Sequence, residues 1–174
     1  MKTETQSSAD LSRLCGMIEN LSVAMLTNLD DAGNLVSRPM WTLEMDGSGA
    51  LWFFTDKRST KIEHLRVVNL SFIDSAAGNY VSMSGHGEID MNRARMERLW
   101  TPFAKPWFPD GPESINLALL KFVPAMAEYW DASNSSMVRM FAMAASVIAG
   151  KPLGMGEHGT LTGLSKSPQE TMPG

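Results

Sequence analysis

The chain has 174 residues, 44% hydrophobic and 20% charged, with one Cys and a formal charge of -4 from 15 Lys and Arg against 19 Asp and Glu. A chain of this size buries a core without staples, so collagen, a disulfide scaffold and wholesale disorder are excluded. One cysteine rules out cysteine-rich zinc modules, and without excess positive charge neither DNA nor RNA is an expected partner.

Residues 1–10 are polar, carry Lys2, Glu4 and Asp10, and read as a flexible terminus rather than a signal or transit peptide. The longest apolar stretch, near Met140 to Ala149, falls short of the roughly 20 residues that span a bilayer, so a cytoplasmic location without a membrane partner is expected. Leu11, Leu14, Cys15 and Ile18 share one helical face, with Ser7, Ser8 or Asp10 as cap. Cys15 reads as a small buried hydrophobe, because no local cation or histidine would activate its thiol.

Ser22 to Leu29 and Leu35 to Met45, joined by the turn Asp30-Asp31-Ala32-Gly33-Asn34, predict a hairpin. The turn Asp46-Gly47-Ser48-Gly49 leads to a strand from Ala50 to Thr55. Ser59 or Thr60 can cap a helix from Lys61 to about Val67, after which Leu70 to Ile73 resumes the sheet. Tyr80 to Ile89 alternates Val81, Met83 and Gly85 against Ser82, Ser84 and His86, a half-buried strand. Asp90 or Asn92 caps a helix from Arg93 to Trp100 that Pro102 stops, and the loop beyond holds Phe103, Pro106, Trp107, Phe108 and Pro109. Leu119 to Trp130 predicts a strand, Ser133 to Ala149 a helix, and residues 151–174 a flexible tail. About six strands in hairpin order with a few short helices predict a mainly β fold over residues 11–150, a small antiparallel barrel.

Most familiar chemical signatures are missing. Gly154-Met155-Gly156-Glu157-His158-Gly159 fits a dinucleotide-binding pattern but follows a predicted helix rather than a strand, so it reads as tail. His64, His86 and His158 lack metal-ligand spacing, and no nucleophile elbow or phosphate-binding P-loop occurs; neither a metal nor a catalytic nucleophile is expected. Arg93, Arg95 and Arg98 read as a solvated helix face.

Two segments stand out. Ser37-Arg38-Pro39-Met40-Trp41 places an arginine in a strand just before a proline that cannot donate to the ladder, which predicts an edge or a bulge. Phe54-Thr55-Asp56-Lys57-Arg58-Ser59-Thr60-Lys61 is a strand end feeding a helix start, with hydroxyls, three cations and free backbone N-H groups that could cradle a phosphate. By spacing alone, plain capping by Ser59 and Thr60 with a solvated turn at Lys57, Arg58 and Lys61 is the favoured reading over a cradle.

Gly33 and Ser37-Arg38-Pro39-Met40 are followed by Leu51-Trp52-Phe53-Phe54-Thr55 with Ser59 and Lys61, and by Tyr80-Val81-Ser82-Met83-Ser84-Gly85. Trp100-Thr101-Pro102, Trp107-Phe108-Pro109 with Gly111, and Pro124 with Glu128-Tyr129-Trp130-Asp131 complete the series. In this order, over roughly Leu11 to Gly150, they resemble the flavin-binding split-barrel family related to pyridoxamine 5'-phosphate oxidase, and more closely its general stress protein 26 branch.

The resemblance implies a six-stranded antiparallel split β-barrel that binds FMN, with FAD possible, across a homodimer interface. It implies that Arg38, Ser59 and Lys61 hold the phosphate, that Pro39, Met40 and Trp41 run along the flavin ring, and that Phe54 and Thr55 sit beneath it. Trp107, Trp130 and Arg139 correspond to contributors from the partner subunit. A flavin-dependent oxidoreductase is the implied activity; a non-catalytic flavin carrier or stress sensor, a pyridoxamine phosphate oxidase-like enzyme, and a relative using deazaflavin or haem are the alternatives. Leu43 stands where the true oxidases carry a lysine, and Met137-Val138-Arg139 where they carry a basic Arg-x-His element, so the counter-charges for a phosphorylated substrate are missing. The loop around Trp107 and Phe108 reads either as a lid on the ring or as a staple of the dimer.

Overall fold

The computed structural model describes residues 1–59, 64–131, 157–162 and 164. In chain order the elements are β1 (Lys2–Thr3), α1 (Ala9–Ile18), β2 (Val23–Leu29), β3 (Leu35–Met45), β4 (Leu51–Asp56), β5 (Val68–Asp74), β6 (Asn79–Asp90), α2 (Arg93–Leu99), β7 (Leu117–Asp131) and β8 (Glu157–Thr162). Short 3-10 turns at Pro102–Ala104 and Gly111–Glu113 shape the aromatic loop. Six strands pair in the order β3, β2, β5, β6, β7, β4, and a further β3–β4 pairing closes them into an antiparallel barrel.

Alternation puts every second residue inside. Ala24 and Leu26 of β2, Leu51 and Phe53 of β4, Leu70 and Phe72 of β5, Val81 and Met83 of β6 and Phe122 of β7 form the interior. Helix α1 adds Leu11, Leu14, Cys15 and Ile18 to the same core, and Ser8 caps it by accepting from the Leu11 amide at 3.2 Å. Burial pushes the Cys15 thiol pKa up, and the nearby Glu19 carboxylate adds to it, so the cysteine packs as a hydrophobe as the sequence predicts. At Gly85 a register shift brings β7 so close that a Cβ would run into the Val123 carbonyl; only glycine fits there.

A second apolar cluster lies outside the barrel, where Met96 and Leu99 of α2 and Phe108 of the aromatic loop pack on Leu43, Trp52, Leu117 and Leu119. It depends on a bulge in β3. Thr42 faces Phe53 but Glu44 faces Trp52, so one residue is extra and Leu43 turns outward while Met40 and Met45 stay inside. Glu44 is then buried under α2, where Arg98 grips both its oxygens at 2.6 and 2.9 Å. Arg95 lies flat on the Trp52 ring, 3.9 Å from its centroid, and the Trp52 indole donates to Asp46 at 2.8 Å.

Several expectations are corrected. The arginines of α2 are not a plain solvated face: Arg98 holds Glu44, Arg95 stacks on Trp52, and Arg93 donates to the Pro112 carbonyl at 2.7 Å. Residues 65–67 are coil and bend rather than helix, because the Gly87 amide draws the Leu65 carbonyl toward the sheet with a 2.7 Å bond. The start of the chain is not free, since Lys2 and Thr3 pair in parallel with Glu44 and Met45. Part of the predicted tail, including the end of the glycine-rich pattern, is β8, antiparallel to Met126–Asp131 of β7 with Leu161 and Leu164 against the core. The predicted helix from Ser133 to Ala149 lies outside the described residues.

Candidate functional site

Strands β3 and β4 part company at Thr42 and Phe53. Beyond that point β3 continues back to Leu35 along β2, and β4 runs on to Asp56 along β7, so the barrel is split between residues 35–41 and 54–56. The Thr42 amide donates to Ser22 on the β2 side, and stepping by two places the amides of Met40 and Arg38 on that side as well. Position 39 therefore points its nitrogen at the open edge, where proline leaves no donor unpaired. The edge predicted from Arg38-Pro39 is what the structure shows.

Side chains alternate along this lip. Arg38, Met40 and Thr42 take the inward positions, whereas Pro39 and Trp41 lie outside and exposed. On the other side of the split Thr55 is inward and 2% exposed, and Phe54 is outward. The hydroxyls of Thr42 and Thr55 are both buried and find no hydrogen-bond partner among the described residues. Two orphaned oxygens thus flank the point where the strands separate, an arrangement that costs free energy unless a polar group docks there.

Arg38 lies at one end of the split. Its Nη2 donates to Asn28 Oδ1 at 3.1 Å, and the buried Asn28 amide donates to the Leu29 carbonyl at 3.0 Å and the His64 carbonyl at 3.4 Å. Around it is an open depression of about 230 Å³, solvent at the mouth included, lined by Asn28, Leu29, Asp30, Asp31, Val36, Arg38 and His64. Asp30 is tied into the turn: the Ala32 and Asn34 amides donate to Oδ1 and the Asn34 side chain to Oδ2. Those bonds, the Asn34 ones foremost, hold its carboxyl below the usual range. Asp31 Oδ1 lies 2.6 Å from His64 Nε2.

The Phe54–Lys61 segment is only partly as expected. The Ser59 amide bonds back to the Asp56 carbonyl, and Ser59 is half-exposed. Arg58 folds onto Asp56 at 2.7 Å, so it does not join Arg38; this bond raises its pKa further. Thr60, Lys61 and Arg139 lie outside the described residues.

Aromatic rings line the outside of the split. Phe54 meets Trp100 at 5.6 Å and Phe108 edge-on at 6.4 Å, which anchors the loop to β4. Trp41 stacks on Phe103 at 5.7 Å and 17°. Trp107 is 75% exposed and touches none of these rings, while Trp130 projects from β7 beside Tyr80, 43% exposed. Trp41 and Val23 are cross-strand neighbours, as are Ile73 and Tyr80, and Tyr80 and Trp130, so one outer face of the sheet carries an exposed apolar row. A hydroxyl band runs beside it, Thr27 bonded to Ser37 at 2.7 Å and Asn69 to Ser82 at 2.9 Å.

Sequence reasoning missed Asn28, Asp31 and His64 as companions of Arg38, and Phe103 as a companion of Trp41. One signal was available for Asn28, which takes the inward slot after Ala24 and Leu26, where an amide needs a partner.

Among the described residues no helix is long and apolar enough to cross a membrane, and no cluster of His, Cys, Asp and Glu could hold a metal ion. Comparison with known proteins agrees with the split barrel. An alignment 165 positions long is 27% identical to Protein bli-3 of Neurospora crassa, covering 87% of this chain and 79% of that protein. A structure from Jannaschia sp. CCS1, provisionally assigned to general stress protein 26, superposes with a TM-score of 0.68 at 26% identity, over 89% of this chain and 99% of that one. The general stress FMN/FAD binding protein of Xanthomonas citri superposes with a TM-score of 0.60 at 30% identity, over 74% of this chain and 92% of that one. The family model for pyridoxamine 5'-phosphate oxidase like proteins matches residues 9–153, and this chain belongs to that family.

Proposed function

We propose that this protein binds a flavin, FMN by preference, in the split between β3 and β4 of a homodimer, and works as a flavin-dependent oxidoreductase of the general stress protein 26 type. The observation that carries the reading is the parting of the two strands. It leaves an arginine held by Asn28 at one end and two buried, partnerless threonine hydroxyls at its root. An isoalloxazine is flat and apolar with polar edges and an anionic tail, so it asks for such an arrangement. The FMN/FAD binding protein of Xanthomonas citri, 30% identical, supports the ligand class.

Arg38, Ser59 and Lys61 would hold the phosphate through charge-assisted bonds. Pro39, Met40 and Trp41 would flank the ring along the strand edge that faces the split. Phe54 and Thr55 would support it from the β4 side, with Thr42 and Thr55 supplying hydroxyls. The flavin itself supplies the electron-transfer chemistry; the protein orients it and excludes water. Trp107, Trp130 and Arg139 would come from the partner subunit. The apolar row of Trp41, Val23, Ile73, Tyr80 and Trp130 supports self-association, since such a patch is costly to leave in water. Leu43 is 7% exposed and faces α2, so that position brings no cation to the split, which disfavours a phosphorylated vitamin B6 substrate.

Titration with FMN, followed by flavin fluorescence, tests the reading. Arg38→Ala should weaken binding by about 1.5–3 kcal/mol, the worth of a charged hydrogen bond. Unchanged affinity would dismiss the site, and a bound flavin that NADH or NADPH reduces without repeated turnover would leave a carrier in place of an enzyme.

A further inference from the structure

We infer that His64 is an additional phosphate-binding residue of this site and that Asp31 holds its place as a surrogate anion until the cofactor arrives. This rests on the flavin reading above and deepens it. His64 lines the same depression as Arg38, and the Asn28 side chain bridges them, accepting from the guanidinium and donating to the His64 backbone carbonyl. His64 therefore shares the depression with the cation proposed to meet the phosphate, its backbone tied to Asn28 and its imidazole to Asp31.

Its present partner is replaceable. Asp31 sits on the tip of the β2–β3 turn with its side chain 82% exposed, whereas that of His64 is 31% exposed. An exposed ion pair of this kind is worth about 1 kcal/mol or less. A phosphate offers more charge and three acceptor oxygens, so it displaces a single surface carboxylate. Asp30, the other carboxylate of the depression, is occupied by the Ala32 and Asn34 amides and cannot substitute for Asp31 without unmaking the turn. Among the described residues, the charged groups facing His64 are Asp30 and Asp31 of the turn and Arg38 of β3.

A charge-assisted bond to the phosphate needs the imidazolium form, so the contact should contribute more to FMN binding in acid than in base. The test compares dissociation constants for FMN and riboflavin, which differ by the phosphate, at about pH 6 and 8.5, in the parent chain, His64→Gln and Asp31→Asn. His64→Gln should raise the FMN constant about tenfold at the lower pH and less than about twofold at the higher, and leave riboflavin unchanged. Asp31→Asn, at an exposed position that tolerates substitution, should tighten FMN about threefold at the lower pH with riboflavin unchanged.

Equal affinities for FMN in all three proteins at both pH values would overturn the inference while leaving flavin binding standing. So would equal losses for FMN and riboflavin, which assign His64 a purely structural role. If the parent chain binds neither flavin, the functional reading falls and this inference with it.

Discussion

Strand β3 lives in two environments. From Thr42 to Met45 it is paired on both edges, bulged, and covered by α2, with Glu44 only 1% exposed and held by Arg98. From Leu35 to Trp41 it pairs, among the described residues, with β2 alone, its other edge facing the split beside Arg38 and the exposed Trp41. The closed half pairs its buried carboxylate, while the split beside it leaves the Thr42 and Thr55 hydroxyls without partners among the described residues and the Arg38 guanidinium lightly held. Stability and binding are therefore assigned to different ends of one strand.

The largest expected effect is in the closed half. Arg98→Met removes the bidentate partner of a buried carboxylate, and chemical denaturation should show a loss of about 3 kcal/mol, reduced to the extent that Arg95, 3.8 Å from Glu44, takes over. A loss below about 0.5 kcal/mol would mean that Arg95 alone neutralises Glu44.

Asp46→Asn should cost about 2 kcal/mol at neutral pH. Burial pushes the Asp46 carboxyl up, but bonds from Ser48, the Trp52 indole and the Ala50 amide outweigh it and hold the group below its usual value. A lowered folded-state value means that this stabilisation is present above the ordinary aspartate pKa of about 3.9 and is lost as pH falls through the folded-state value beneath it. The gap between parent and variant should narrow in acid melts below about pH 4; a gap independent of pH would show that packing, not charge, sets it.

In the open half the pattern should invert. Arg38→Ala should shift stability by less than about 1 kcal/mol, because only one bond to Asn28 is lost, while FMN affinity falls as stated above. The smallest effect is expected at Trp107, where replacement by Ala should leave the monomer's stability within about 0.5 kcal/mol. If Trp107→Ala weakens flavin binding or self-association without touching stability, the exposed ring belongs to the interface or lid; a large stability loss would contradict its exposure.

Much of this was legible in the residues. Ser8 and the Leu11-Leu14-Cys15-Ile18 stripe, the Asp30–Asn34 turn, and the alternation around Val81 and Met83 are local patterns, and each element formed close to its expected place. Pro39 marked an open edge because a missing donor is written into the chain. The arginines of α2 were misjudged since nothing local says that a bulge 50 residues earlier turns Glu44 toward them. Strand β8 was missed because its six residues become a strand only by adding to the exposed end of β7.

The sequence by itself thus determined the hairpin order, the inward face of each strand and the presence of an arginine at an unpaired edge, because those depend on spacing and on backbone donors carried by each residue. Where β3 and β4 separate, which carboxylates become buried, and that Asn28, Asp31 and His64 gather round Arg38 were decided by the closing of the barrel, which sets distances between residues far apart in the chain.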